Sequence, residues 1–298
     1  MPSNSASAGE AAAKGQAIAL MCAGLLCLSV NDAIAKWFTQ DYHPLQILFI
    51  RQALALPMVF AAALALRGTA SLKTVNLRVH ALRGLLLVGA ATCNFLGLRY
   101  LPLAEATTLI LAAPFFITAL SAPLLGEQVG WRRWSAVLIG FLGVLIVVRP
   151  GIATFQPAAI YVLAAALLYA LIMLSARWID RGEGFWTMVF YFTLFATIFS
   201  GLGAAPFWQP LNLEDLPLYL VMAVAGTLGI TLISQAFRLG PAAVVAPFEY
   251  SILLWASLLG WLVWQELPDL WTYLGAAVIA ASGSYIVLRE TRRKTAQR

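Results

Sequence analysis

Long apolar segments, separated by short polar or charged stretches, follow one another along almost the whole chain. Each is about 18 to 24 residues long, which as a helix is enough to cross about 30 Å of hydrocarbon. Apolar residues within a segment are continuous and do not alternate with polar ones, so a membrane-spanning β-barrel is not indicated. The pattern predicts ten transmembrane helices, named spans 1 to 10, at 14–37, 44–66, 79–101, 103–125, 131–148, 157–179, 185–205, 216–237, 241–264 and 269–288.

Composition supports an all-α integral membrane protein. Apolar residues make up 61% of the chain, charged residues only 11%, and the mean hydropathy is +0.84. A soluble domain has about 45 to 50% apolar and about 25% charged residues. The N-terminal stretch lacks a cleavage signal, so we expect span 1 to be retained. All three cysteines fall inside spans, where they are expected to act as small apolar side chains without a disulfide framework.

The distribution of basic residues predicts the orientation. If the N-terminus is cytoplasmic, most of the 19 lysines and arginines lie on the cytoplasmic side. Only Lys36, Arg99 and Arg149 lie on the other side, and Arg51 lies within span 2. The positive-inside rule therefore places both termini in the cytoplasm. We expect a multi-pass protein of a bacterial-type inner (plasma) membrane. The basic C-terminal tail needs no nucleic acid to explain it, because an anionic inner leaflet attracts such a segment.

The chain contains an internal repeat. A shift of 139 positions superimposes residues that mark equivalent span ends: Arg99 on Arg238, Pro102 on Pro241 and Glu127 on Glu266. A second match near the start of each half places Lys36 on Arg177. Each unit has five predicted helices, and because five is odd, the second unit enters the membrane from the opposite side. We therefore predict two inverted five-helix repeats, 1–150 and 151–298, an architecture found in transporters.

Two quoted segments resemble a known family. "ATTLILAAPFFITALSAPLLGEQVGWRRWSAVLIGFLGVLIVV" resembles the first repeat of EamA-type members of the drug/metabolite transporter superfamily. "PAAVVAPFEYSILLWASLLGWLVWQELPDLWTYLGAAVIAASGSYIVL" resembles the partner repeat, and the likeness covers essentially the whole chain. It implies a ten-helix carrier with a central cavity that moves small metabolites by alternating access. Members include aromatic amino acid exporters of the YddG type and carriers of quite different compounds, so the resemblance specifies the fold more narrowly than the cargo.

The sequence gives no support for an enzyme or a bound cofactor. No G-x-x-x-x-G-K-[ST] phosphate-binding loop is present, so nucleotide hydrolysis is not expected to drive transport. The two histidines, His43 and His80, fall in opposite loops, and no cysteine or histidine cluster has metal-ligand spacing. Transport is therefore expected to be secondary or facilitated, with the lipid bilayer and a small molecule as the partners.

Glu249, in "VVAPFEYSILLW", is a carboxylic acid near the middle of span 9. An ionisable side chain at the centre of a membrane helix costs at least about 2.5 to 3.5 kcal/mol, so it is expected to face a cavity or a partner. Two interpretations stay open. The acid binds a substrate ammonium or carries a proton, or it is protonated and hydrogen bonded to a hydroxyl or backbone carbonyl. In the repeat register it falls on Ile110, so the two halves differ at this depth.

Other intramembrane groups suggest gating or packing roles. Asp32 in span 1 and Arg51 in span 2 have similar depths and are predicted to form an ion pair, either as a gate or as a packing contact. Pro114 and Pro247 interrupt spans 4 and 9, the equivalent helices of the two repeats. They predict kinks, which suit a gate or simple helix bending.

Several polar and aromatic side chains near mid-span are candidates for substrate binding. Hydrogen bonds between helices and ordinary ring packing are the alternatives. Asn94 and Thr108, on neighbouring antiparallel spans, are expected to share one layer of the cavity. With Glu249, the candidates are Asn94, Thr108, Tyr169, Gln235, Tyr250 and Trp255.

The small number of fixed charges restricts the cargo. A phosphorylated substrate calls for several buried bases, and only Arg51 lies well inside a span. The sequence therefore favours export of aromatic or hydrophobic amino acids or similar amphiphilic metabolites. Uptake of a nucleoside-like or cationic metabolite, or efflux of lipophilic drugs, is the alternative among carriers. A membrane scaffold or lipid-handling protein is the alternative outside that class.

Overall fold

The computed structural model describes residues 3–126, 130–149, 156–179 and 183–296, and within these ranges the regular secondary structure is helical. The α-helices are α1 (Ser3–Phe38), α2 (Pro44–Arg67), α3 (Leu77–Tyr100), α4 (Leu103–Ile110), α5 (Ala113–Leu125), α6 (Trp131–Val148), α7 (Ala158–Ser175), α8 (Phe185–Ala204), α9 (Leu216–Leu239), α10 (Ala242–Val245), α11 (Ile252–Trp264) and α12 (Leu270–Ala296). Short 3-10 segments occupy Gly68–Leu72, Ala176–Trp178, Ala205–Phe207, Leu213–Asp215 and Ala246–Ser251.

The helical, multi-pass character predicted from the sequence is confirmed. In the described part of the chain, eight segments are long and apolar enough to cross a membrane, and they correspond to spans 1 to 4 and 6 to 9. α6 contains a shorter apolar helix, Trp134–Val148, at predicted span 5, and α12 covers predicted span 10. The count of ten spans and the cytoplasmic location of both termini stay predictions.

Equivalent helices of the two halves pack against equivalent partners. α1 packs along α9, and α3 packs along α7, so spans 1 and 8 have the same relation as spans 6 and 3. The pair α2 and α8 and the pair α6 and α12 each join a helix to its own counterpart. This arrangement is consistent with two repeats related by a pseudo-two-fold axis.

Two glycines bring the backbones of α6 and α12 into contact. A Cβ atom at Gly275 would lie 2.7 Å from the carbonyl oxygen of Gly143, and one at Gly143 would lie 3.0 Å from the carbonyl oxygen of Gly275. Small residues allow such close approach, and helix association in lipid depends on close packing because lipid tails are as apolar as the side chains. α6 and α12 therefore form a tightly packed pair.

Substitution of Gly275 by alanine is expected to destabilise the protein by about 1 to 3 kcal/mol, because the new methyl group must displace backbone. The thermal unfolding midpoint of purified protein in detergent measures this. Gly130→Ala is the matched control, since nothing lies within 4 Å of a Cβ at that position. Equal midpoints for the two variants would contradict the close approach.

The main apolar core lies mostly at one end of the bundle. We call this the Lys36 end; it is formed by Lys36, Tyr42, Leu101, Asp215 and Glu266, and the other end is called the Glu183 end. Many of the largest fully buried side chains belong to it: Phe38, Ile47, Leu48, Phe95, Leu98, Leu101, Leu103 and Tyr219. The rings of Phe38 and Tyr219 stack with their centroids 4.0 Å apart. The molecule is therefore packed shut at the Lys36 end.

A smaller apolar cluster lies between α1, α9 and the start of span 9. We call it the small cluster; its buried members are Ala17, Met21, Leu25, Ala236, Val245 and Ile252. It joins helices of both halves away from the Lys36 end.

Equivalent hydrogen bonds tie a loop to a helix start at each end. At the Lys36 end, the Tyr42 hydroxyl donates to Asp215 at 2.6 Å, just before α9. At the Glu183 end, the Glu183 carboxylate accepts from Asn76 Nδ2 at 2.9 Å, just before α3. Asn76 falls on Asp215 in the repeat register. Both hydrogen bonds are present in the same structure, one at each end. They therefore stabilise the fold at both ends and are not a difference between the ends.

The carboxylate of Glu183 also accepts from the Thr74 hydroxyl and lies 2.7 Å from the His80 ring nitrogen Nε2. His80 lies in the first turn of α3, so its predicted loop position is wrong. Burial by itself raises the pKa of Glu183, but the hydrogen bonds from Thr74, His80 and Asn76 outweigh it and lower that pKa from 4.5 to about 2. A depressed native pKa means that this group stabilises the fold fully above about pH 4.5, and that the contribution is lost as the pH falls towards 2.

Glu183→Gln is therefore expected to lower the free energy of unfolding by about 1 to 3 kcal/mol at neutral pH, because charged hydrogen bonds are lost. The difference from the parent should shrink as the pH falls from about 4.5 towards 2. Unfolding midpoints measured across this pH range test both statements. Glu214→Gln, at an exposed position in the short 3-10 segment before α9, is the control. A difference from the parent that does not change with pH would contradict the assignment.

Candidate functional site

Spans 4 and 9 are both interrupted near their middles. In span 4, α4 ends at Ile110, and α5 begins at Ala113 after two turn residues. In span 9, the 3-10 segment Ala246–Ser251 separates α10 from α11. The turn residues Leu111 and Ala112 fall on Tyr250 and Ser251 in the repeat register. The interruption therefore occurs at the same place in both halves, and discontinuous helices of this kind form the binding sites of many transporters.

Both spans are interrupted near the prolines, as predicted, but the interruptions are not kinks of continuous helices. Pro114 lies in the first turn of α5, and Pro247 lies in the first turn of the 3-10 segment, so neither bends a continuous helix. Proline lacks an N–H, and the first turn of a helix is where this group has no intrahelical acceptor. The two prolines therefore start new helical segments.

The two interruptions lie close together in space. Leu111, from the first, packs against the small cluster, which contains Val245 and Ile252 from either side of the second. The C-terminal ends of α4 and α10 and the N-terminal ends of α5 and α11 meet in this region. Helix ends carry backbone groups without intrahelical partners, together with the partial charges of the helix dipoles. The region is therefore more polar than its apolar side chains suggest.

Glu249 lies in the 3-10 segment and is half-buried. Its carboxylate is close enough to Tyr169 on α7 and to Tyr250 for electrostatic interaction. Among the described residues, no side chain or backbone group forms a hydrogen bond or ion pair with this carboxylate. The hydrogen-bonded alternative weighed for Glu249 is thus not found in the described part of the chain.

Residues of the 3-10 segment and of three other helices surround Glu249. Tyr169 on α7 is 45% exposed, so its ring is not packed on all sides. Tyr250 reaches across to α12, where its hydroxyl lies against Gly283 and would clash with any larger residue. The Ser251 hydroxyl donates to Cys22 Sγ of α1 at 3.8 Å. We call this region the Glu249 chamber; its residues are Cys22, Tyr169, Glu249, Tyr250 and Ser251.

The remaining polar candidates are less closely associated with the chamber. Thr108 is buried, and its hydroxyl donates to the carbonyl oxygen of Ala104 at 2.7 Å within α4. The Thr108 hydroxyl therefore donates within its own helix, and it forms no hydrogen bond with Asn94. The placement of the two residues in one layer of the cavity stays a prediction. Asn94 on α3 and Gln235 on α9 are half-buried, and their side chains form no hydrogen bond with any described residue.

Trp255, on α11, packs against the small cluster beside the two interruptions. Its indole Nε1 is buried and has no hydrogen-bond partner in the described ranges. The ring therefore serves the apolar packing that was the alternative for this residue, while its N–H remains available next to the centre of the molecule.

The predicted direct ion pair between Asp32 and Arg51 is replaced by a bridged one. Asn31 Nδ2 donates to Asp32 Oδ1 at 3.0 Å, and Arg51 Nη1 donates to Asn31 Oδ1 at 3.0 Å. An amide has both a donor and an acceptor, so it satisfies the carboxylate and the guanidinium without contact between them. Gly226 on α9 provides the room, because a Cβ there would lie 3.1 Å from Asn31 Oδ1.

Lys36 and Glu266 form an ion pair that the site predictions missed. Lys36 is only 4% exposed, and its ammonium also donates to the carbonyl oxygen of Leu101 at 3.0 Å and lies 4.9 Å from the centre of a Trp264 ring. The repeat register gave a signal, since it marks Lys36 against Arg177 and Glu266 against Glu127. Glu127 itself lies outside the described residues.

Comparison with known proteins shows the family. Residues 15–149 and 156–289 separately match the EamA-like transporter family. The riboflavin transporter of Vibrio cholerae is 30% identical over 285 residues, covering 95% of this chain and 96% of the relative. The S-adenosylmethionine uptake transporter of Rickettsia bellii is 28% identical over 268 residues, covering 90% and 92%. The pseudopaline exporter of Pseudomonas aeruginosa is 27% identical over 267 residues, covering 89% and 93%.

A solved crystal structure has the same fold, with a TM-score of 0.62 and 20% identity over 94% of this chain and 98% of that chain. The double family match is consistent with the repeat, and the relatives are transporters of small molecules, not enzymes. This multi-pass membrane protein therefore belongs to the EamA-like transporter family, within the drug/metabolite transporter superfamily.

Proposed function

We propose that this protein is a secondary or facilitated carrier for small metabolites that combine a positively charged group with an apolar or aromatic part. Glu249 holds the positive charge of the cargo, and the cargo crosses by alternating access. The observation that carries this proposal is the Glu249 carboxylate, which lies at an interruption of span 9 and has no partner among the described residues.

The chemistry of the chamber favours a cation. A carboxylate removed from water is costly unless it is paired, so an ammonium or sulfonium group that enters the chamber gains an ion pair and relieves this cost. Tyr169 and Tyr250 lie beside the acid, and aromatic faces attract such cations. While the chamber is empty, the positive end of the α11 dipole next to Glu249 stabilises the charged acid.

Two cargo classes fit this chemistry. Export of aromatic or hydrophobic amino acids is the narrower proposal, since an amino acid has an ammonium group and an apolar side chain. Uptake of a nucleoside-like cation is the second, and it is supported by the similarity to S-adenosylmethionine uptake transporters, because S-adenosylmethionine has both a sulfonium and an ammonium group. The other substrate-lining residues proposed are Asn94, Thr108, Gln235 and Trp255. We further propose ten spans, cytoplasmic termini and an inner-membrane location.

Counterflow into proteoliposomes loaded with unlabelled compound tests the proposal. We would compare labelled S-adenosylmethionine, phenylalanine and tryptophan as cargo candidates, riboflavin as a planar compound without a fixed cation, and a dianionic phosphate ester. Uptake of S-adenosylmethionine or of an amino acid above empty liposomes is expected, with no uptake of the phosphate ester. Transport of only the phosphate ester would overturn the cation proposal, and absence of any counterflow would favour a scaffold or lipid-handling role.

A further inference from the structure

Lys36 has the contacts of a latch between the two halves of the protein. Its ammonium donates to the carboxylate of Glu266 and to the carbonyl oxygen of Leu101, and it also lies over the ring of Trp264. Leu101 belongs to the first half, at the turn between α3 and α4, whereas Trp264 and Glu266 belong to the second half, at the end of α11. The side chain therefore joins α1 to the turn between α3 and α4 and to the end of α11, all at the Lys36 end.

We propose that Lys36 is the positioning residue that keeps the Lys36 end shut, and that its contacts with Glu266 and Leu101 must break each time this end opens during transport. The inference rests on the alternating-access part of the proposed function. It does not depend on which cargo is carried or on the role of Glu249.

The energetics suit a reversible contact. A buried ammonium is stable only when its hydrogen-bonding protons and its charge are satisfied, and here the carboxylate and the carbonyl do so. Once the end opens, water hydrates the ammonium and the carboxylate and recovers much of the lost interaction. The ion pair buried in the shut state is only slightly more stable than the same two groups hydrated in the open state. It therefore favours the shut state without preventing opening.

Comparison of equivalent positions points to a state-dependent contact. Lys36 is buried, but its repeat counterpart, Arg177 at the Glu183 end, is exposed. The hydrogen bonds of Tyr42 and Glu183 behave differently, because both of these equivalent ties are present together. In an inverted repeat, equivalent side chains that differ in burial between the two ends are expected to change their surroundings when the carrier changes its open side. Lys36 belongs to this group.

Charge at the Lys36 end supports the same role. Glu105 on α4 is half-buried and close enough to Lys36 for electrostatic interaction. Lys36 is thus the positive neighbour of two carboxylates, Glu266 and Glu105, and both lose this neighbour when the lysine is removed. A partly buried carboxylate that loses a positive neighbour draws in water, so removal of Lys36 favours opening of this end.

The test measures access to a buried position at the Lys36 end. Thr107 on α4 is buried, and its hydroxyl bonds only to the carbonyl oxygen of Leu103, so Thr107→Cys changes little else. This cysteine is introduced in a chain whose Cys22, Cys27 and Cys93 are replaced by serine, reconstituted in nanodiscs that leave both faces accessible. The labelling rate with a charged thiol reagent is then compared for the parent and for K36M, K36R and E266Q.

K36M and E266Q are expected to increase the labelling rate by about tenfold or more, as for a two-state equilibrium shifted by loss of one interaction. K36R, which keeps the charge, should stay within about threefold of the parent. The matched control is R99M, which removes an exposed base at the same end. Its labelling rate should equal that of the parent.

Equal labelling of K36M, E266Q and the parent would overturn the latch. Should K36M fail to fold, the E266Q variant and the exchanged pair K36E/E266K give the answer, since the exchanged pair should restore protection from labelling. The readout needs no cargo, so its failure is distinguishable from failure of the transport proposal. If counterflow occurs but the variants label like the parent, only the latch proposal is contradicted. If the variants label faster but no counterflow occurs, only the cargo proposal is contradicted.

Discussion

Replacement of Glu249 by glutamine is expected to slow the transport of a cationic cargo by about 10- to 100-fold. Hydrogen bonds to a charged group contribute about 1.5 to 3 kcal/mol, and the substitution removes the charge while it keeps the size of the side chain. Transport of a neutral compound such as riboflavin, if it is carried, should change by less than about threefold. Initial rates of counterflow in proteoliposomes, at equal amounts of reconstituted protein, measure both effects.

The difference between charged and neutral cargo is the informative quantity. A packing defect around Glu249 would slow every cargo to a similar extent, whereas loss of an ion pair slows only the cation. Glu214→Gln is the matched control, because it removes an exposed acid from the short 3-10 segment before α9 and is expected to leave all rates unchanged. A Glu249→Gln protein that carries the cationic cargo at the parent rate would remove Glu249 from the binding site.

The hydrophobic pattern was sufficient for most of the fold. A long continuous apolar segment that crosses a bilayer forms a helix, because a helix pairs the segment's own backbone hydrogen-bonding groups. The predicted span 44–66 corresponds to α2 (Pro44–Arg67), and 103–125 corresponds to α4 and α5 together. The repeat was also accessible, because a handful of residues at span ends recur at a constant spacing.

The interruptions of spans 4 and 9 were only partly predictable. An apolar segment has the same composition whether its helix is continuous or divided, so hydropathy alone does not distinguish the two. The prolines did mark the right spans, but a proline both kinks a helix and starts one. Only the three-dimensional structure, in which α4 ends at Ile110 and a 3-10 segment separates α10 from α11, distinguishes these outcomes.

Side-chain partners were the least predictable part of the site. The similar depths of Asp32 and Arg51 in the membrane suggested that the two side chains meet. Depth does not show how each helix is rotated about its axis, and this rotation places Asn31 between them. Lys36 and Glu266 are 230 positions apart, and their contact depends on how the two halves close against each other. Such pairs follow from tertiary packing, which no local pattern encodes.

The chemistry of this protein lies where its two repeats differ. Ile110 and Glu249 occupy equivalent positions at the two interruptions, yet only one of them is an acid. Lys36 and Arg177 are both basic, yet only Lys36 is buried. A difference of residue type is permanent and suits binding, whereas a difference of environment between like residues suits a conformational change. The Glu249 chamber and the Lys36 end are therefore assigned separate roles.

Loss of Arg51 is expected to have the largest effect on stability. Arg51→Met should lower the free energy of unfolding by about 3 kcal/mol, because it leaves the Asp32 carboxylate inside the membrane region with only the Asn31 amide as a partner. The double variant Asp32→Asn/Arg51→Met should recover most of this loss, since neither charge then remains. Thermal unfolding of the purified variants in detergent, arranged as a double-mutant cycle, measures the coupling.

The cycle also distinguishes a bridged charge pair from independent packing. If Asp32 and Arg51 stabilised the protein separately, the two single losses would add, and the double variant would be the least stable of the set. Bridging by Asn31 predicts the reverse order, with Arg51→Met below the double variant. Exchange of the two residues, Asp32→Arg with Arg51→Asp, should restore part of the stability, because an amide donates to a carboxylate and accepts from a guanidinium in either direction. Arg99→Met, which removes an exposed arginine, should stay within about 0.5 kcal/mol of the parent, so a general sensitivity to loss of positive charge would not reproduce this order.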